Sequence, residues 1–91
     1  MKIIIHGKVQ GVFFRKTIYQ HVQKSLPNLQ GYIENRQDGT VFVLAEGDSS
    51  QLRLLLDFCY AGSSASKVEH IEFSENEDDD LRELSAFHIA Y

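Results

Sequence analysis

Hydrophobic residues recur at steps of four in the first third of the chain. Phe14, Ile18, Val22 and Leu26 share this spacing, which places them on one face of an α-helix. Pro27 follows directly and cannot continue a helix. The pattern therefore predicts a helix that begins near Phe14, buries one face and ends before Pro27.

A second helix is predicted in the middle of the chain. Asp48 is a candidate N-cap, and Gln51 lies three residues later, at the spacing of a capping box. The hydrophobic positions that follow are Leu52, Leu55, Leu56 and Cys59. Gly62 then predicts the end of the helix. Cys59 falls on the apolar face, so we expect a core residue and not a nucleophile.

Strands are predicted where β-branched and aromatic residues run together or alternate with polar ones. These segments are residues 3–9, 32–33, 40–45, 68–73 and 87–91. Asp38 and Gly39 supply the turn of a hairpin between the second and third segments. The order of elements predicts an α+β, ferredoxin-like fold, βαββαβ plus a C-terminal strand. We expect an antiparallel sheet with two helices on one face.

Length and charge narrow the classes of function. The chain has 91 residues, so we expect one domain over residues 1–91 and no separate cofactor domain. A formal net charge of −4 argues against a nucleic-acid module, which needs a cationic face. Cys59 is the only cysteine, which favours a reduced, cytoplasmic setting. The first residues predict no signal peptide, and no segment reaches transmembrane length.

We assign no catalytic or metal-binding role to several polar groups. Residues 75–80 form an acidic run, predicted to be a solvated loop and not a metal site. The four histidines are His6, His21, His70 and His88. They are dispersed and lack the paired spacing of zinc ligands. Lys8 and Lys16 flank a glycine loop and are interpreted as solvated surface lysines. We expect neither a metal nor a cofactor.

The segment with the clearest chemical use is residues 7–15. It leaves a predicted strand through Gly7 and Gly11 and delivers Arg15 onto the first turn of a helix. Backbone N–H groups in such a loop can form a concave nest, and the helix N-terminus adds free donors and a positive dipole end. The planar guanidinium can hold two phosphoryl oxygens at once. The arrangement suits a phosphate.

Spacing alone leaves this interpretation open, since a glycine loop before a helix is also a common structural turn. Arg15 could equally be a surface arginine at a helix start. There its charge opposes the helix dipole, which favours a bound anion. Asn35, beside the predicted hairpin, could simply satisfy local backbone groups.

The loop resembles the acylphosphatase signature, whose core is G-x-V-Q-G-V-x-F-R. This chain has GKVQGVFFR at residues 7–15, a match throughout. Residues 31–41, GYIENRQDGTV, are similar to the second signature of that family, in which a glycine and an aromatic residue precede an asparagine near a D-G-x-V hairpin. Later segments around Glu46, Gly62, Val68 and residues 87–89 also follow the family pattern, so the resemblance covers nearly the whole chain.

The resemblance implies hydrolysis of the carboxyl-phosphate bond of an acyl phosphate to a carboxylate and inorganic phosphate. It implies that Arg15 binds the phosphate and that Asn35 orients the attacking water. The implied phosphate cradle is the backbone of Val9, Gln10, Gly11 and Val12. A general base is unnecessary, because an acyl phosphate already carries a good leaving group. We expect a monomer that uses a small-molecule substrate and binds neither nucleic acid nor membrane.

Three positions depart from the family pattern. Relatives often have Gly-Pro after the second helix, whereas this chain has Gly62, Ser63 and Ser64. We expect this change to loosen the loop without touching the site. The end of the first helix lacks the usual L-G-L-x-G. Phe13 occupies a variable position of the signature where many relatives have a smaller residue, so the acyl-group preference can differ.

Other functions stay open at this point. One is a noncatalytic ferredoxin-like module that binds a phosphorylated ligand or a partner protein through the same loop. Such a module would need Arg15 but not obviously Asn35, so their joint presence favours the enzyme. RNA binding by a small sheet is opposed by the acidity of the chain and by the lack of a recognised stacking motif.

Overall fold

The computed structural model describes residues 1–75 and 85–91. In that part of the chain two helices and five strands follow one another. Their bounds are β1 Lys2–Lys8, α1 Phe14–Ser25, β2 Gln30–Asn35, β3 Val41–Glu46, α2 Ser49–Ala61, β4 Lys67–Ser74 and β5 His88–Ala90. Each corresponds to a predicted element. The predicted acidic loop at residues 75–80 lies, apart from its first residue, outside the described residues.

The five strands form one sheet in the order β4-β1-β3-β2-β5. β1 is antiparallel to β3 and β4, and β2 is antiparallel to β3. The ferredoxin-like fold with an added terminal strand is therefore confirmed. The prediction of an antiparallel sheet was wrong for β5, which pairs with β2 in parallel. The reason is that β5 runs in the opposite direction to β4 but lies at the other edge of the sheet. There it pairs with β2, which runs in the same direction as β5.

Both helices cover the same face of the sheet, as predicted. Phe14, Ile18 and Val22 are the buried residues of α1, and those of α2 are Leu52, Leu55, Leu56 and Cys59. These side chains form one core cluster with the inward residues of the strands, including Ile3, Ile5, Ile33 and Val43. The two hydrophobic periods, four along the helices and two along the strands, meet in this core. The core anchors the start of α1, where the β1–α1 loop arrives.

Local sequence rules predicted one end of α2 correctly and the other incorrectly. Asp48 is the N-cap residue in extended conformation, yet its side chain makes no capping hydrogen bond. The predicted capping box is therefore wrong, because the exposed Asp48 carboxylate has water as a competing partner. Gly62 ends the helix as predicted, with φ of 64° and its N–H donating to the Phe58 carbonyl at 2.9 Å.

Cys59 is fully buried in the core, and desolvation raises the pKa of its thiol to about 12. At neutral pH it is a protonated core residue, as its position on the apolar face of α2 predicted. His6 and His70 lie opposite each other on β1 and β4, with ring centroids 5.3 Å apart. No group of three metal-ligating side chains occurs among residues 1–75 and 85–91. Within the same ranges no helix is long and apolar enough to cross a membrane.

Candidate active site

The loop between β1 and α1 has an unusual backbone conformation. The β1–β4 register shifts between His6 and Gly7, near the end of β1 and just before the loop. Gly11 has φ of 73°, and Phe13, the residue before α1, has φ of 62° and ψ of 21° in the left-handed region. Among the described residues, no backbone-to-backbone hydrogen bond is donated by the N–H groups of residues 11–16. These amides are therefore available as donors to a ligand.

Arg15 lies in the first turn of α1, which contains no acidic residue. Its side chain makes no ion pair within residues 1–75 and 85–91. Its guanidinium carbon instead lies 5.1 Å from the centroid of the Tyr91 ring. This distance is within the range of a cation–π contact, and the guanidinium donates no hydrogen bond to the part of the chain that the structure describes.

Asn35 is the last residue of β2, at the start of the hairpin to β3. Gly39 supplies the positive φ, 92°, that the predicted Asp-Gly turn requires. The Asp38 carboxylate accepts hydrogen bonds from the hydroxyl and the N–H of Thr40. Asn35 Oδ1 is buried and has no hydrogen-bond partner among the described residues. Buried acceptors are usually satisfied, so this atom is ready for a water or ligand donor.

Gln10 connects the loop to the hairpin. Its side-chain amide nitrogen donates to the carbonyl oxygens of Arg36 at 2.7 Å and Thr40 at 2.9 Å. One side chain thus binds both ends of the turn that follows Asn35. The distance between the loop donors and Asn35 is therefore set by side-chain hydrogen bonds as well as by the sheet.

One cavity of about 330 Å³ brings the two predicted residues together. Its lining includes Arg15 and Asn35 and, from the predicted cradle, Val9 and Gly11. Gln10 and Val12 do not line it. Gln10 binds the hairpin instead, and Val12 packs in the core. A cavity of this size is at the small end of the range for small-molecule sites, about 300–1,000 Å³.

Other residues of the cavity wall were not predicted from the sequence. Phe13, Lys16, Ile89 and Tyr91 also line it. The alternation of residues 87–91 indicated that Ile89 and Tyr91 share a face, but their place beside Arg15 depends on the parallel pairing of β5. Lys16 was interpreted only as a solvated lysine. Its position one residue after Arg15 was the signal available, since both belong to the first turn of α1.

Ser63 corrects one expectation about this region. Its hydroxyl donates to the Val12 carbonyl at 2.8 Å, so the segment that replaces the family's Gly-Pro does touch the loop. Ser66 supports it, because its hydroxyl accepts from the Ser63 N–H at 2.9 Å and donates to the Ser63 carbonyl at 2.8 Å. The substitution adds a hydrogen bond to the loop where a proline would have no hydroxyl.

Fold and cavity together define a class of protein: a small ferredoxin-like domain with a cationic, donor-rich cavity beside its first loop and helix. Within this class the chain belongs to the acylphosphatase family, since residues 1–89 match the family model for Acylphosphatase. Its function is that of an acylphosphatase, an enzyme that hydrolyses an acid anhydride.

Relatives over most of the chain support this assignment. The chain is 41% identical over 71 residues to an acylphosphatase of Acidovorax, covering 78% of this chain and 71% of the relative. It is 37% identical over 90 residues to an acylphosphatase of Bacillus licheniformis, covering 99% and 96%. The crystal structure of an acylphosphatase from Bacillus subtilis superposes with a TM-score of 0.87 at 37% identity, covering 99% of this chain and 96% of that one.

Proposed function

We propose that Arg15 and Asn35 are the catalytic residues of this acylphosphatase. In this proposal Arg15 binds the phosphoryl group, Asn35 orients the attacking water, and the backbone of Val9, Gln10, Gly11 and Val12 forms the phosphate cradle. The observation that carries the proposal is that Arg15, Asn35 and the start of the free-amide loop line one cavity.

Arg15 has the chemistry that a phosphoryl group requires. Its guanidinium is permanently charged, can bind two oxygens at once and has no carboxylate partner among the described residues. The N-terminus of α1 adds backbone donors and a positive dipole end on the same side. These groups stabilise negative charge on the phosphoryl oxygens as the bond to the leaving carboxylate breaks.

Asn35 supplies the acceptor that a water nucleophile needs. Its unpartnered Oδ1 can accept a hydrogen bond from the water and so direct an oxygen lone pair at phosphorus. The water oxygen forms the new bond to phosphorus, and the bond between phosphorus and the acyl oxygen breaks. The electron pair leaves with the carboxylate, and both water protons remain on the phosphate product. A dianionic acyl phosphate thus gives a carboxylate and dihydrogen phosphate.

Hydrolysis of a small acyl phosphate by Arg15→Ala and Asn35→Ala tests these roles. We expect Arg15→Ala to lose at least about 100-fold in kcat/KM and to lose inhibition by inorganic phosphate. Asn35→Ala should lose about 100-fold in kcat while phosphate inhibition persists, because only water positioning is removed. Arg53→Ala and Asn28→Ala, at exposed positions away from the cavity, are the matched controls and should keep full activity.

The assay also separates this proposal from its alternatives. Full activity of Arg15→Ala would contradict it, and so would loss of phosphate binding in a folded Asn35→Ala. Saturable phosphate binding by the wild-type protein without any hydrolysis would favour the noncatalytic module. Activity should survive a chelator such as EDTA, because no step in the scheme uses a metal. Loss of activity on chelation would overturn that part of the scheme.

We further propose that residues 1–91 form one domain that acts as a monomer in the cytoplasm on a free acyl phosphate, without nucleic-acid or membrane partners. The single cysteine and the net charge of −4 support this. Light scattering coupled to gel filtration should give a mass near the 10.4 kDa of one chain. A stable dimer would contradict the proposal.

A further inference from the structure

Phe13 is an aromatic residue in a position that neither burial nor backbone conformation explains. Its side chain is 75% exposed. Its backbone lies in the left-handed region, with φ of 62°, which glycine adopts freely and a bulky residue does not. A side chain that is kept in a strained, exposed position directs attention to what it faces.

Phe13 faces the cavity that contains Arg15 and Asn35. Tyr91, the residue after β5, lines the same cavity and is 99% exposed. We call Phe13 and Tyr91 the aromatic rim. The half-buried Ile89, which packs against the core, adds a further apolar surface to the wall.

The cavity therefore has two chemically different parts. Arg15, Asn35 and the loop amides suit the phosphate of a substrate, whereas the aromatic rim and Ile89 offer no side-chain charge. An acyl phosphate has the same two parts, a charged phosphoryl group and a neutral acyl group. With the phosphate at Arg15, the acyl group has the aromatic rim as the neighbouring apolar surface of the cavity.

We propose that the aromatic rim makes this enzyme select acyl phosphates with a planar aromatic acyl group over acetyl phosphate. This inference rests on the proposed phosphate position at Arg15. An aromatic acyl group gains binding free energy from offset or edge-to-face contact with Phe13 and Tyr91. Binding also removes apolar surface of the ring from water. An acetyl group is too small to cover the same surface. The rim thus acts on specificity and not on the chemical step.

The test is the ratio of kcat/KM for benzoyl phosphate to that for acetyl phosphate. We expect Phe13→Ala to lower this ratio by roughly 2- to 10-fold, as the loss of one aromatic contact predicts. Phe13→Leu keeps apolar bulk and should lower it less. Tyr91→Ala should also lower the ratio. Inhibition by inorganic phosphate should stay within about twofold in the two Phe13 variants, because they leave Arg15 and its contacts unchanged. Tyr91→Ala is judged by the substrate ratio alone, because it also removes the ring beside the Arg15 guanidinium.

The matched control is Phe73→Ala, which removes an aromatic ring that is 50% exposed on β4 and does not line this cavity. Its substrate ratio should equal that of the wild type. Both substrates are measured on one preparation, so partial unfolding of a variant cancels from the ratio. An unchanged substrate ratio in both Phe13→Ala and Tyr91→Ala would overturn the proposed role of the aromatic rim in specificity. If Arg15→Ala is inactive in the same assay, the proposed phosphate site still stands even though the proposal for the aromatic rim has failed.

Discussion

Two residues at the start of α1, Phe13 at the N-cap and Arg15 in the first turn, are unfavourable for stability. The charge of Arg15 opposes the helix dipole, an effect of about 0.3–1 kcal/mol. The left-handed conformation of Phe13 costs roughly 1–2 kcal/mol for a residue with a Cβ atom. Both side chains line the cavity. Local stability is therefore lowered at the residues that we assign to substrate binding, a common property of functional sites.

Asp38 gives a prediction for stability against pH. The hydrogen bond from the Thr40 hydroxyl, followed by that from the Thr40 N–H, lowers the pKa of Asp38 from its ordinary value of 3.8. A carboxyl whose pKa is depressed by folding stabilises the native state above its unfolded pKa, and this stability is lost as the pH falls through the folded pKa. Asp38→Asn should therefore show a weaker decrease in the free energy of unfolding between neutral pH and about pH 3.

Urea unfolding monitored by circular dichroism at a series of pH values measures this effect. Asp57→Asn, on the exposed side of α2, is the control. A pH dependence of Asp38→Asn that is as steep as that of the wild type below pH 4 would contradict the assignment.

At the scale of elements, local pattern predicted most of the fold. The periodicity of α1 correctly gave Phe14, Ile18 and Val22 as its buried face, and the Asp-Gly turn placed Asn35 at a strand end. These features depend on residues near one another in sequence. The parallel pairing of β5 does not, because it depends on which sheet edge is free after the other strands have paired.

The prediction of the site was also limited to features that depend on residues close together in sequence. The glycine loop and its motif indicated Arg15 and Asn35, but not the hydrogen bonds that connect the loop to the rest of the molecule. Ser63 is 51 residues from Val12, and Gln10 is 26 residues from Arg36. Local rules do not encode contacts of this range, so the residues that replace the family's Gly-Pro were predicted to lie away from the site.

The connection between the α2–β4 segment and the loop leads to a prediction for Ser63→Ala. Loss of the hydroxyl leaves the Val12 carbonyl without a partner among the described residues, which we expect to lower stability by about 1–3 kcal/mol. Because the peptide that carries this carbonyl also carries the Phe13 N–H, a less fixed loop should weaken phosphate inhibition by about two- to fivefold.

Ser63→Thr keeps the hydroxyl and should restore both properties, and Ser64→Ala, at the exposed neighbouring residue, should change neither. Thermal unfolding and the inhibition constant of phosphate are the measurements. An inhibition constant for Ser63→Ala equal to that of the wild type would limit Ser63 to a role in stability.

At the scale of the whole molecule, the proposed site couples ligand binding to folding. Its residues come from the β1–α1 loop, α1, β2, β5 and the residue that follows β5, so the cavity exists only when the sheet and helix are assembled. Phosphate that binds the folded state alone must therefore stabilise it. At 100 times its dissociation constant the gain is about 2.7 kcal/mol.

For a domain of this size such a gain corresponds to an increase in Tm of roughly 10 °C or more. Differential scanning fluorimetry with added phosphate, at constant ionic strength maintained with chloride, measures it. Arg15→Ala should lose most of the increase, whereas Arg53→Ala should keep it. An equal increase in both variants would indicate a general salt effect and not occupancy of the proposed site.

The edge position of β5 has a consequence for hydrogen exchange. This strand meets β2 at three register pairs, from Tyr32 with His88 to Glu34 with Ala90, whereas α1 starts from the buried Phe14. Short edge elements open at lower free energy than the core. We therefore expect the proposed phosphate end of the cavity to rest on α1 amides that exchange slowly, and the proposed acyl end to rest on β5 amides that exchange early. We expect a brief detachment of β5 to admit a long acyl group, while the anchor for its phosphate stays in place.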